Sequence, residues 1–309
     1  MRQLSACIAY SGDGRWIQVV IALLLLAGWR CLFSICSDLR FTTLAPAGRW
    51  AISASILWTG TWLLDRVGLC LTTAVADHLW YACAVVALCP AISVLGSRRP
   101  GTRVWTWFIL VPMLFTLGWP VLTLLIQGRA ERGLQIETPQ LMGYFLVLVM
   151  GAGNYLGTRH TFSALCYMAA AGLLVVTSSA AFSLRFIDDE TSRTLAIALM
   201  ATALVLGRPQ RPQSLGDRFD TLWSDFFHQF GIVWGRRIQD RLNFIAEKEG
   251  WPGRLELDGF HWNAPRTPEI DARVEHALRW LLRRFADPEW LDRRLGSMKV
   301  QISPLAADS

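Results

Sequence analysis

Between residues 16 and 207 the chain carries one apolar run after another, each about as long as a bilayer core is thick. A transmembrane helix needs about 20 mostly apolar residues, and runs of that order occupy 16–36, 50–74, 79–96, 104–127, 141–158, 161–184 and 194–207. Seven spans is the preferred reading. Six is the alternative, because the second run contains Asp65 and Arg66 and the last is short. A chain of 309 residues that is 53% hydrophobic and 17% charged is too apolar for ordinary soluble domains. Its charges are also uneven: of 54 Asp, Glu, Lys and Arg residues, 23 fall in 1–207 and 31 in the remainder. The expected fold is mainly α. A polytopic helical membrane bundle over 1–207 is followed by a linker at 208–214 and a small α+β tail domain over 215–309.

The first run follows Arg15 as the apolar part of a secretory signal would. A lipoprotein signal would need a Cys directly after Leu26, Ala27 and Gly28, where Trp29 stands, and no small-residue cleavage pattern follows Arg30. The run is expected to be retained as an anchor. With seven spans and a cytoplasmic C-terminus, nine arginines face the cytoplasm: Arg40, Arg49, Arg98, Arg99, Arg103, Arg159, Arg208, Arg211 and Arg218. Six face outward: Arg2, Arg15, Arg129, Arg132, Arg185 and Arg193. Positive short loops favour the cytoplasm, so the expected location is a bacterial inner membrane with the tail inside.

"FLVLVMGAGNYLGT" at 145–158 has the glycines of a dinucleotide-binding turn. That fold also needs an acidic residue about 20 positions on to hold the ribose, and the sequence has none between Gly157 and Asp188. Gly153 and Gly157 instead read as a small-residue face where another helix packs closely. Asn154 between them would need a hydrogen-bond partner in the membrane.

Ionised groups in hydrocarbon are expensive and mark sites. Asp65 and Arg66 are the intramembrane polar candidates, with Arg30 close to them if the first two spans form a hairpin. The bland alternative has Arg30 snorkelling and Asp65 and Arg66 opening an outer loop. The seven cysteines all lie in the membrane half without a CxxC pair, and the five histidines lack ligand spacing. No metal and no cofactor is expected, and no catalytic residue is assigned.

In the tail, Trp223, Phe226, Phe230, Trp234, Ile238, Leu242 and Ile245 form one stripe of a long amphipathic helix that stops at Gly250. Asp258–Gly259 between alternating residues signals a two-residue hairpin. Thr267 and Pro268 open a second helix carrying Ile270, Val274, Leu278, Leu281 and Phe285, and Asp287 caps a third that ends near Gly296. The order is helix, β-hairpin, helix, helix. The stripe is longer than the second helix can cover, so part of it, with Trp223, Phe226, Phe230 and Trp234, is expected to meet a protein partner, a second copy or the lipid bilayer. Positions 208–309 hold 16 basic residues against 15 acidic ones, so nucleic acid is not expected as a partner. A solvated face near anionic headgroups fits the arginines better.

"CSDLR" at 36–40 resembles the Cys-Ser-Gly motif of exosortase-type membrane transpeptidases, which pair a Cys nucleophile with Arg and His. The match covers five residues and Asp38 replaces the Gly. His160 is the only histidine on the same expected side, and this reading ranks last. "FDTLWSDFFHQFGIVWGRRIQDRLNFIAEKEGWPGRLELDGF", with "LCPAISVLGSRRPGTRVW" and "VLVMGAGNYLGT", resembles a group of uncharacterised multi-pass bacterial membrane proteins. That resemblance implies the architecture and transfers no catalytic residue. The expected function is a membrane-anchored scaffold or assembly component acting through its cytoplasmic tail. A small transporter or channel subunit is the alternative.

Overall fold

The computed structural model describes residues 2–67, 72–127, 134, 136–177, 188–208 and 217–295, without the side chains of 2–15, 102–103, 124–125 and 127. Residues 209–214 of the expected linker, Gly296, and the outer Arg129, Arg132 and Arg185 lie outside the described residues. The chain is mainly helical, with one two-stranded sheet among the described residues.

Helices α1 (Arg2–Leu39), α2 (Ala45–Val67) and α3 (Thr73–Leu95) are followed by a short α4 (Thr102–Trp105). A π-helical turn (Thr106–Leu110) carries α4 into α5 (Val111–Gln127). Then come α6 (Thr138–Gly153), α7 (Thr161–Thr177) and α8 (Asp189–Leu206). Three stretches are long and apolar enough to cross a membrane: Trp16–Leu39, Thr73–Leu95 and Thr106–Thr123. Thr138–Gly153 and Thr161–Thr177 are apolar but shorter.

A helix that is apolar all round belongs at the centre of a bundle, and α3 is there. Trp80, Tyr81, Cys83, Ala84, Val85, Ala87, Leu88 and Cys89 are all buried. Neighbours use their polar tips to bond its carbonyls: Trp58 Nε1 donates to Cys83 at 2.9 Å, Tyr144 Oη to Ala84 at 3.1 Å, and Tyr167 Oη to Ala87. The outer helices turn Leu23, Leu26, Phe33, Ile56, Phe115 and Leu146 outward, all exposed. Such a surface needs an apolar solvent.

The tail comprises α9 (Arg218–Glu249), β1 (Gly253–Leu255), β2 (Phe260–Trp262), α10 (Pro268–Leu282) and α11 (Pro288–Leu295). Gly250, at φ 68°, ends α9 as a left-handed cap. Thr267 caps α10, with Pro268 in its first turn. The hairpin forms, but one residue earlier than Asp258–Gly259 implies: Glu256 N donates to Gly259 O at 2.8 Å, so Leu257 and Asp258 hold the turn. Asp220 of α9 decides this, because its Oδ1 accepts from Phe260 N at 2.7 Å where a Cβ on Gly259 would collide.

The aromatic stripe is not left for a partner. Trp223, Phe226 and Phe230 are at most 1% exposed and Trp234 is 6% exposed. Two facts were outside the reach of a length comparison between helices. Phe285, just past α10, points into the stripe, with ring centroids 5.4 Å from Phe226, 5.4 Å from Phe230 and 5.0 Å from Trp234. Leu44, Ala47 and Val94 of the bundle then join the same core.

Candidate functional site

The ends of the bundle helices near the tail are bonded to it residue by residue. Thr43 N donates to Phe285 O at 2.8 Å, Asp287 N to Phe41 O at 2.9 Å and Arg99 N to Arg284 O at 3.0 Å. Asp287 spends its carboxylate on Arg99, at 2.6 Å, in place of the cap expected on α11. Trp234 Nε1 donates to Val94 O at 3.1 Å and Tyr155 Oη to Gln229 O at 3.1 Å.

The tightest tie is at Asn154. Helix α9 breaks at Gly231, whose φ of 79° and ψ of −178° lie in a region essentially restricted to glycine. The break frees backbone groups that Asn154 takes up. Its Nδ2 donates to Phe230 O at 3.0 Å, its Oδ1 accepts from Val233 N at 2.9 Å, and its carbonyl accepts from Ile232 N at 2.8 Å. A Cβ on residue 231 would lie 2.2 Å from Asn154 Nδ2. Asn154 is therefore a buried clasp at the end of the bundle.

Gly153 and Gly157 do not form a helix crossing. Gly153 is the last residue of α6, Gly157 stands in the following turn at φ 84°, and a Cβ on either would meet nothing within 4 Å. The close approach is at Gly151, where a Cβ would lie 2.9 Å from that of Ala91.

Arg30 does not join Asp65 and Arg66. Trp29 Nε1 bonds Thr59 at 3.2 Å, which levels Arg30 with the middle of α2, and the Arg30 side chain is exposed. Arg66 turns instead to α8, pairing with Glu190 at 2.9 Å and Thr194 at 3.0 Å, while Asp65 forms no ion pair among the described residues. Nearby, Arg193 is paired with Asp77.

Beneath the clasp lies a cavity of about 290 Å³. Its apolar wall comes from α1, α2, α3, α7 and α8, including Leu32, Ala51, Ala91, Ala164 and Leu204, and its roof is His228 and Gln229 of α9. Arg159 and His160 complete the roofed side. Arg159 N donates to His228 Nδ1 at 3.2 Å, and its side-chain Nε donates to His160 Nε2 at 3.3 Å. These bonds fix the tautomers: His228 carries its proton on Nε2 and His160 on Nδ1. Burial, then the Arg159 charge, pulls His160 down to about 4, and the same causes pull His228 down to about 4. Both imidazoles are neutral at pH 7. Burial also pulls the Arg159 guanidinium below its ordinary value.

Among the described residues, Arg159 has no ion-pair partner within 4.0 Å, since nearby Asp225 is taken by Arg294 at 2.7 Å. Cys36 also lines the cavity, with its thiol 3.6 Å from Gly48 O, and no hydrogen bond joins it to His160 among the described residues. The sequence marks His160 only as a base for Cys36 in the transpeptidase reading and does not mark Arg159 or His228 as sites. The only other signal was the placement of Arg159 and His160 in a short loop on the tail side.

At the hairpin tip, Glu256, Asp258 and His261 bring ligand atoms within 4.8 Å of one another. All three are exposed, and His261 Nε2 already meets Asp258 at 2.9 Å. Such a cluster is an ordinary surface hydrogen-bond group. Compared with known protein families, curated proteins and solved structures, the chain shows a match to none of them.

Proposed function

We propose that the chain is a seven-span membrane protein, with its tail on the cytoplasmic side, that binds an apolar chain in the cavity between bundle and tail. The cavity carries the reading. At about 290 Å³ it lies just below the roughly 300–1,000 Å³ typical of ligand sites. Its lining is mostly apolar apart from the roofed side and from Cys36, Asp38 and Ser163. The topology is supported by the loops that touch the tail, which hold Arg40, Arg98, Arg99 and Arg159, as cytoplasmic loops should.

The scaffold reading loses the exposed stripe that motivated it. Among the described residues of the tail, the large hydrophobics left exposed are Phe244, Leu257 and Trp280. A transporter would need a polar site at mid-depth between broken helices. The transpeptidase reading would need Cys36 engaged by a base, and its thiol lies against a carbonyl.

The test is purification of the full chain in mild detergent followed by mass spectrometry of what stays bound. An alkyl-bearing molecule should accompany the natural sequence and be lost from Ala51→Phe, which fills the wall. Equal retention by both would overturn the reading. A reporter fused after Ser309 should behave as cytoplasmic, and an external signal would reverse the topology.

A further inference from the structure

A cavity made for an apolar chain alone would be closed by apolar groups, and this one is not. Its roofed side gathers Arg159, His160, His228 and Gln229. Each presents or can present a donor. The terminal nitrogens of Arg159 have no hydrogen-bond partner among the described residues, and its Nε is bound only to neutral His160. The bond from Arg159 N to His228 Nδ1 leaves His228 Nε2–H as the free edge of that ring. The Gln229 side-chain oxygen is buried without a partner, and rotation of the amide by half a turn would offer its NH₂ instead.

Charge points the same way. The acids around this group are Asp225, already paired with Arg294, and Asp38, which lines the cavity but is exposed to solvent. Arg159 is therefore a half-buried guanidinium with no counter-charge in contact. A desolvated cation in that state is costly unless something anionic completes it. Arg159 and His160 also immediately precede α7, whose first turn carries partial positive charge toward the same space.

We infer that the cavity takes a single-chain amphiphile with an anionic head, a carboxylate or a phosphate, which Arg159 holds by charge-assisted hydrogen bonds with His228 as second donor. This rests on the reading that the cavity admits an apolar chain. The guanidinium fork suits either oxyanion. The two neutral imidazoles add donors without adding a charge that an anion-free cavity would have to carry.

Cys36 gives a readout that belongs to this cavity, since its thiol lies in the lining. The full chain, in nanodiscs of zwitterionic phosphatidylcholine, is alkylated with a maleimide while decanoate, decyl phosphate, decanol or decylamine is titrated in. Modification of Cys36 is followed by peptide mass. Decanoate or decyl phosphate should half-protect Cys36 at concentrations at least tenfold below decanol, with decylamine weakest. Whichever anion protects at the lower concentration identifies the head. Arg159→Gln should remove the advantage of the anions and leave decanol unchanged, and Arg159→Lys should keep part of it. The ranking of the four probes on the natural sequence stands even if a variant does not fold. Decanol or decylamine equalling the anions would overturn the anionic head while leaving the apolar site intact. Protection by none of the four would overturn the site itself.

Discussion

The two ends of the helical bundle treat arginine in opposite ways. At the end away from the tail, Arg66 reaches Glu190 and Arg193 reaches Asp77, so α2, α3 and α8 are tied by ion pairs between themselves. At the tail end, Arg40 and Arg293 both lie over the Phe41 ring at 4.6 and 4.4 Å, Arg99 spans to Asp287, and Arg159 faces a cavity whose lining carboxylate, Asp38, is exposed to solvent and forms no ion pair with it among the described residues. The first end closes on itself. The second is held together by backbone hydrogen bonds and a shared aromatic core, which frees its cations for other work. On the proposed reading, structural closure and binding are thus separated along the bundle axis, and each can be attacked alone.

The largest effect is expected at the clasp, where the tail end depends on a backbone conformation. Gly231→Ala places a Cβ against Asn154 and forces a non-glycine residue into a left-handed region, a strain of about 1–3 kcal/mol. Displacing Asn154 also leaves buried backbone groups of Phe230 and Val233 unpaired, at about 1–3 kcal/mol per group. A loss of about 3–5 kcal/mol is expected, seen as a large fall in the unfolding temperature in detergent, whereas Gly153→Ala, with open space around it, should change it little. Equal effects at both positions would mean that the break in α9 does not hold the junction.

That contrast also shows what the sequence could disclose. The Gly250 stop and the Thr267–Pro268 start are local features and fall where local physics puts them, whereas the apolar runs are placed only coarsely: α2 starts five residues and α3 six residues before the expected runs, and three stretches are long and apolar enough to cross a membrane. Gly153 and Gly157 mislead because a four-residue spacing of glycines says nothing about where the helix ends, and α6 ends at Gly153. The residue that needs to be glycine for contact with this loop is Gly231, 77 positions from Asn154, and only the fold brings them together. The stripe of α9 was visible in full, but its cover was not. Part of that cover comes from Phe285, beyond a helix end, from Leu44 and Ala47, which read as loop residues, and from Val94, which reads as a membrane residue. The cavity was invisible for the same reason: its lining is drawn from eight separate parts of the chain.

A smaller effect separates the two ends directly. Arg193→Gln leaves Asp77 half-buried beside Asp189 with its cation gone, and after allowance for solvent screening the loss is about 1–2 kcal/mol. Arg159→Gln removes a cation that no carboxylate balances, so stability should be unchanged or slightly raised while binding of an anionic amphiphile is lost. Thermal unfolding of the two variants side by side decides it. A destabilisation by Arg159→Gln as large as that by Arg193→Gln would show that Arg159 is a structural group and erase the distinction between the ends.

The last effect is a slope in pH, and it tests whether the cavity side of the junction is as electropositive as its residues imply. His160 and His228 sit at about 4 in the folded chain, against 6.5 in an unfolded one. Above pH 6.5 both states hold these rings neutral, and the folded state keeps its full advantage. As pH falls from 6.5 toward 4, the unfolded chain takes up protons that the folded chain refuses, so stability declines through that window and the contribution levels off below it. The unfolding temperature should therefore drop more steeply between pH 7 and pH 5 in the natural sequence than in the His160→Gln, His228→Gln double variant. Parallel slopes would mean that the rings are not held neutral by burial and Arg159. A bound anion beside the same rings would favour their protonated forms and raise both values. Decyl phosphate at saturation should accordingly flatten the slope of the natural sequence and leave that of the double variant unchanged.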